Sequence, residues 1–146
     1  MAVEVIQGEI FQDHRGKIAS LNNFGFEGVK RSYFITHHDT QVVRGWNAHK
    51  LERKWFCCLK GAFTVALVEI DDWETPSTEL EPEIFRLSDS DSRIIAVPAG
   101  YGSCIKAIEP ESVLMVLSDK SMAEVAELND SYRYDADYFF KWGELL

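Results

Sequence analysis

Residues 44–61 read Arg44-Gly45-Trp46-Asn47-Ala48-His49-Lys50-Leu51-Glu52-Arg53-Lys54-Trp55-Phe56-Cys57-Cys58-Leu59-Lys60-Gly61. The stretch reads as a polar site on a β-strand that runs into a glycine turn. Asn47 and His49 stand two apart, so on a strand they share a face. Lys54 opens a mostly apolar run that Gly61 closes. A barrel that turns Arg44, Asn47, His49 and Lys54 inward has something anionic or carbonyl-bearing to hold.

Outward from that stretch, strand-like runs follow one another between turn signals. Ala62 to Ile70 is the strongest strand of the chain, and Val42 to Lys50 precedes it. Val3 to Ile10, Lys17 to Leu21, Val29 to Thr36, Ile84 to Leu87, Ile94 to Val97 and Val113 to Leu117 also read as strands. Asp13-His14-Arg15-Gly16 and Pro98-Ala99-Gly100-Tyr101-Gly102 read as turns, and Asp71 to Glu83 as an exposed excursion. His37 and His38 fall in a loop expected to face solvent. About ten short strands at close spacing predict an all-β sandwich or barrel, with a jelly roll the favoured form. The mouth of such a barrel can hold one ligand.

After residue 118 the character changes. Ser121 and Glu124 have capping-box spacing, and Met122, Val125 and Leu128 form a short helical stripe. Tyr132, Tyr134, Tyr138, Phe139, Phe140 and Trp142 make an aromatic tail, expected to pack on the sheet or on a partner subunit.

The chain has 146 residues, which suits one domain, with a core over 3–118 and the helix and tail over 119–146. Its net charge of −9 argues against general nucleic-acid binding, which needs a basic face. No apolar run is long enough to span a bilayer. Three cysteines, Cys57, Cys58 and Cys104, make an odd count with no C-x-x-C spacing. With no leader-like start, they suggest a reducing cytoplasm and buried core thiols.

The same residues resemble the cupin-fold nucleotide-sugar isomerases: dTDP-4-dehydrorhamnose 3,5-epimerases and dTDP-4-oxo-6-deoxyglucose 3,4-ketoisomerases. Asp13-His14-Arg15-Gly16 is similar to that family's Asp-x-Arg-Gly turn. Lys30-Arg31-Ser32-Tyr33-Phe34-Ile35 is similar to the ketoisomerases' Lys-Arg-x-Tyr-Tyr-Ile, and Arg44 to Lys50 to their Arg-Gly-Phe-His-Ala-His-Lys. Lys54 precedes Gly61 as a lysine precedes the matching glycine in the epimerases. Val97-Pro98-Ala99-Gly100-Tyr101 resembles their Ile-Pro-x-Gly-Phe. The resemblance implies an all-β double-stranded β-helix (a cupin jelly roll) with a short C-terminal helix. It also implies a homodimer, no cofactor, and proton transfer alpha to the carbonyl of a dTDP-4-keto-6-deoxyhexose or related sugar.

The departures fall on the chemistry. The family's base position is Asn47, its general-acid tyrosine position falls near Met115, and the histidine after Pro-x-Gly is Ser103. Asn does not take a proton near neutral pH and Met does not donate one. The metal-cupin positions read Asn47, His49, Lys54 and Ser103, so no metal is expected.

His49 is then the candidate base, with a polar core histidine as the alternative. Tyr33 is a candidate proton donor or acceptor, or else a cross-strand aromatic. Arg44 and Lys54 are the leading anion ligands, with Asn47, Arg15, Arg31 and Tyr101 as further substrate-binding candidates. Three functions stay open: a nucleotide-sugar isomerase, an inactive binder of a sugar nucleotide or small anion, and a structural module whose interior is filled by Trp55, Phe56 and Phe63.

Overall fold

The computed structural model describes residues 2–140 and 142; Met1, Lys141 and the end of the expected tail, 143–146, lie outside the described residues. The strands in chain order are β1 (Glu4–Gln7), β2 (Glu9–Asp13), β3 (Gly16–Ser20), β4 (Arg31–Ile35), β5 (Val43–His49) and β6 (Lys54–Lys60). They continue with β7 (Ala62–Glu69), β8 (Glu83–Ser88), β9 (Arg93–Val97), β10 (Tyr101–Ala107) and β11 (Val113–Ser118). A helix, α1 (Met122–Leu128), and a two-residue strand, β12 (Tyr132–Arg133), follow. One antiparallel sheet has the order β1-β9-β6-β11-β4 and faces a second, β12-β5-β10-β7-β8; β2 and β3 form a separate hairpin. This is the expected all-β jelly roll.

Strand alternation explains the layers. In β6, Phe56 and Cys58 enter the interior, where they meet Phe63, Val65 and Leu67 of β7, Val97 of β9 and Val116 of β11. Trp55 and Cys57 point the other way, onto Ile94 and Leu117, under a cover that includes Leu21, Phe24 and Val29. Trp55 is therefore not an interior residue, contrary to the filled-barrel expectation. The chain crosses from the first sheet to the second at Gly61, whose φ is +73°. A Cβ there would lie 2.1 Å from Ser112 Oγ, which itself accepts the Ala62 N–H.

The outer face of the second sheet is covered by the tail. Trp46, Ala48, Ala66, Val68 and Cys104 pack against Phe139 and Trp142. Trp46 and Tyr134 exchange both backbone hydrogen bonds, at 3.0 and 3.1 Å, and the Trp46 indole donates to Ala136 O. Each large apolar side chain so buried contributes about 1.5–3 kcal/mol. Both sheets are thus covered on both sides, which is why β7 reads as a nearly unbroken apolar run.

Four features differ from the sequence reading or go beyond it. The run Val3–Ile10 breaks at Gly8, where a Cβ would lie 2.0 Å from Ser20 O, and the chain passes from β9 to the hairpin. Tyr101 and Gly102 open β10, a central strand, rather than sitting in a turn. The capping box forms, but none of the α1 residues is buried, so the stripe Met122–Val125–Leu128 is not a core face. His37 is half-buried, edge-on to Phe63 at 5.6 Å, rather than facing solvent.

Candidate active site

One extra residue aims β5 at the interior. Its pairing with β10 runs His49–Tyr101, Ala48–Gly102 and Asn47–Ser103, then moves to Gly45–Cys104 and Arg44–Ile105. Trp46 is left over as a β-bulge. Directly opposed residues of an antiparallel pair share a face. Arg44 and Asn47, three apart, therefore both face inward; in an unbroken strand Arg44 would join Trp46 and Ala48 outside. Gly45 suits the bulge, because its φ is +127° and a Cβ would lie 2.5 Å from Ser103 O.

A cavity of about 420 Å³ opens between the sheets, lined by Tyr33, Arg44, Asn47, Lys54, Phe56 and Ser103 among others. This is within the size range of small-molecule sites. Lys54 Nζ stands 5.9 Å from the centroid of the Tyr33 ring. Arg44 donates from Nε to His37 Nε2 at 3.4 Å. Burial, helped by Arg44, holds the His37 pKa below its usual value.

His49 does not line this cavity. It borders a void of about 10 Å³ together with Asn47, Lys54, Tyr101 and Ser103, so the void and the cavity share a wall. The void is about the size of one water. His49 Nδ1 lies 2.8 Å from Asp130 O. A carbonyl only accepts, so Nδ1 carries the proton and the neutral ring keeps its lone pair on Nε2. That Nε2 is buried with no hydrogen-bond partner among the described residues. Burial pushes the His49 pKa down and Lys54 adds to the shift, outweighing Glu52 and Asp130.

Glu52 and Asp130 were not singled out from the sequence. The Glu52 side chain, 4% exposed, pairs with Arg31 at 2.9 Å and accepts from Ser118 Oγ at 2.5 Å. The Asp130 carboxylate accepts the backbone N–H groups of Lys50, Leu51 and Glu52 at 2.8, 2.8 and 3.1 Å. Both residues sit in charged, loop-like sequence whose spacing carries no signal.

The structure thus brings Tyr33 and Lys54 of the first sheet and Arg44 and Asn47 of the second to one cavity, with His49 outside it. Three candidates stand elsewhere. Arg15 is paired with Asp13 at 2.6 Å on the hairpin, its side chain 74% exposed. Arg31 is committed to Glu52. Tyr101 lines the small void rather than the cavity, and burial with Glu69 and Glu83 nearby raises its phenol pKa.

Residues 1–141 match the protein family described as "FdtA: WxcM-like, C-terminal". The chain belongs to that family. A search of curated protein sequences gave no match. Among solved structures, a variant of the 3,4-ketoisomerase QdtA from Thermoanaerobacterium thermosaccharolyticum, in complex with TDP-4-keto-6-deoxyglucose, is similar at 24% identity and TM-score 0.68, covering 94% of this chain and 91% of that one. A variant of ChmJ, a 3'-monoepimerase from Streptomyces bikiniensis in complex with dTDP, gives 18% identity and TM-score 0.75, over 99% and 76% of the two chains. The dTDP-4-dehydrorhamnose 3,5-epimerase of Bacillus anthracis, with TDP and PPi bound, gives 16% and 0.67, over 84% and 75%. These likenesses establish the cupin fold.

In this FdtA-family chain, no group of three His, Cys, Asp or Glu among the described residues could hold a metal ion. No helix among them is long and apolar enough to cross a membrane.

Proposed function

We propose that the cavity holds a nucleotide-linked 4-keto-6-deoxy sugar and that the protein moves a proton alpha to its carbonyl. The observation that carries this reading is the meeting of Arg44, Lys54, Tyr33 and Asn47 around one cavity, backed by a neutral imidazole nitrogen without a partner among the described residues. Family membership and the ligands named in the similar ketoisomerase and epimerases support the substrate class.

Each residue has a place in the reaction. Arg44 and Lys54 supply positive charge to the diphosphate and the sugar in an otherwise acidic chain. His49 Nε2 takes the C–H proton, directly or through one water. The C–H electron pair becomes the new C=C bond, and the carbonyl π pair moves onto oxygen, near Lys54. Return of the proton to the other face of the same carbon gives an epimer. Protonation instead at the former carbonyl carbon, with loss of the neighbouring hydroxyl proton, gives an isomeric ketone; Tyr33 is the wall hydroxyl able to relay that proton.

The test is solvent exchange. Incubation with dTDP-4-keto-6-deoxyglucose in deuterated buffer should place deuterium beside the carbonyl, and His49→Ala should abolish it. No exchange across a panel of such sugars rejects catalysis.

A second reading, binding without turnover, is favoured by the position of His49 outside the main cavity. It expects melting-temperature increases with dTDP sugars and no exchange. A homodimer also accords with the exposed Phe34 on edge strand β4 and Ile84 on edge strand β8, and light scattering measures it.

A further inference from the structure

We propose that Asn47 is the hydrogen-bond donor to the carbonyl oxygen of the bound keto-sugar, and that Ser131 is the positioning residue that makes it a donor. This rests on the proposed substrate class.

An Asn amide carries both an acceptor and a donor, and its use depends on which one the protein occupies. Here Asn47 Oδ1 accepts from Ser131 Oγ at 3.2 Å. Its Nδ2 has no hydrogen bond among the described residues, and its side chain lines both the cavity and the void before His49. The acceptor is taken and the donor is left for a ligand.

The preceding residue sets the opposite polarity on the next inward residue of the strand. Asp130 O takes the Nδ1–H of His49 and leaves Nε2 as an acceptor. Two consecutive residues, Asp130 and Ser131, thus make one inward side chain of β5 a hydrogen-bond acceptor and the other a hydrogen-bond donor. The pairing of β12 with β5, Tyr132 to Ala48 and Arg133 to Asn47, holds that segment in register. Lys54, from the facing sheet, lines the same cavity and void and adds a second donor. Two donors lining one cavity beside a lone base suit an oxygen that gains negative charge as an adjacent C–H proton leaves. Asn47 does not titrate, so it serves at any pH at which His49 is neutral.

The experiment uses the full chain and two ligands, dTDP-4-keto-6-deoxyglucose and dTDP, with affinities read by calorimetry and exchange rates by NMR. Asn47→Ala should weaken keto-sugar binding by about 3- to 10-fold and leave dTDP binding unchanged. Where exchange occurs, kcat should fall by about 100-fold with a smaller change in KM. Ser131→Ala should lose in the same direction, and Ser131→Thr, which keeps the hydroxyl, should restore it. Unchanged melting temperatures exclude unfolding as the cause. Keto-sugar binding and exchange indifferent to both substitutions, or equal losses for keto-sugar and dTDP, overturn this inference alone. A native chain that binds neither ligand overturns the proposed substrate class, and this inference with it.

Discussion

The Nδ1–H of His49 donates to the backbone carbonyl of Asp130 at 2.8 Å, and the other ring nitrogen is buried without a partner among the described residues. Burial penalises the charged ring, Lys54 opposes it, and a second ring proton would meet no acceptor among the described residues, so the fold holds the His49 pKa below 6.5. The unfolded chain then binds more protons than the native one between the lowered and the ordinary value. This contribution is fully present above the ordinary value and is lost as pH falls through the folded one. The melting temperature should drop as pH falls below the ordinary histidine value, and His49→Gln should flatten part of that drop. An equal slope in the variant would assign the acid sensitivity to other groups, His37 first.

Glu52 holds Arg31 at the buried end of the interior. Glu52→Ala would strand the Arg31 guanidinium, whose side chain is 21% exposed, and remove the acceptor of Ser118. Its partial exposure moderates the penalty, and the expected loss is about 2–4 kcal/mol in urea denaturation. The double variant Glu52→Ala/Arg31→Met should recover part of it. No recovery would show that Glu52 acts mainly through Ser118 or His49.

The three cysteines are reduced and buried. Burial pushes the thiols of Cys58 and Cys104 up to about 12 and raises that of Cys57. At about pH 8, roughly 1 in 10,000 of a thiol of that kind is thiolate. A disulfide reagent should therefore react slowly with the native protein and rapidly with all three thiols in urea. A fast native phase would reveal an opening motion at β6 or β10.

Phe139 sits edge-on to Trp46 at 4.9 Å, 6% exposed. Phe139→Ala should cost about 3 kcal/mol and red-shift tryptophan fluorescence. Because that contact lies on the outer face of the second sheet, dTDP-sugar affinity should stay as it was. A parallel loss of affinity would link the tail to the cavity.

Much of this architecture is legible in the sequence because strand parity is a simple rule. Lys54, Phe56 and Cys58 share a face, Trp55 and Cys57 the other, and Asn47 goes with His49. The capping box of Ser121 and Glu124 could be read for the same reason: its spacing is local. β10 was hidden because Gly102 and Ser103 lower its strand propensity. Gly102 is there because a Cβ would meet Ala48 at 3.3 Å, a constraint set by another strand. Glu52 and Asp130 look like solvated charges, and only the closing of the chain gives them partners. Sequence placed Arg44 in the site without the reason, since its parity conflicts with that of Asn47 until the bulge is known.

That bulge makes the chemistry a matter of phase. Trp46 covers the outer face with its indole and, by adding one position to β5, shifts everything before it by half a pleat. Excising that one codon would take the bulge with it and leave Arg44 two positions before Asn47, still on the inner face; it is pairing Trp46 into the ladder, with no residue lost, that would turn Arg44 toward the tail while Asn47 and His49 stayed in place. Register, independent of composition, decides whether the cation and the amide ever meet the same guest.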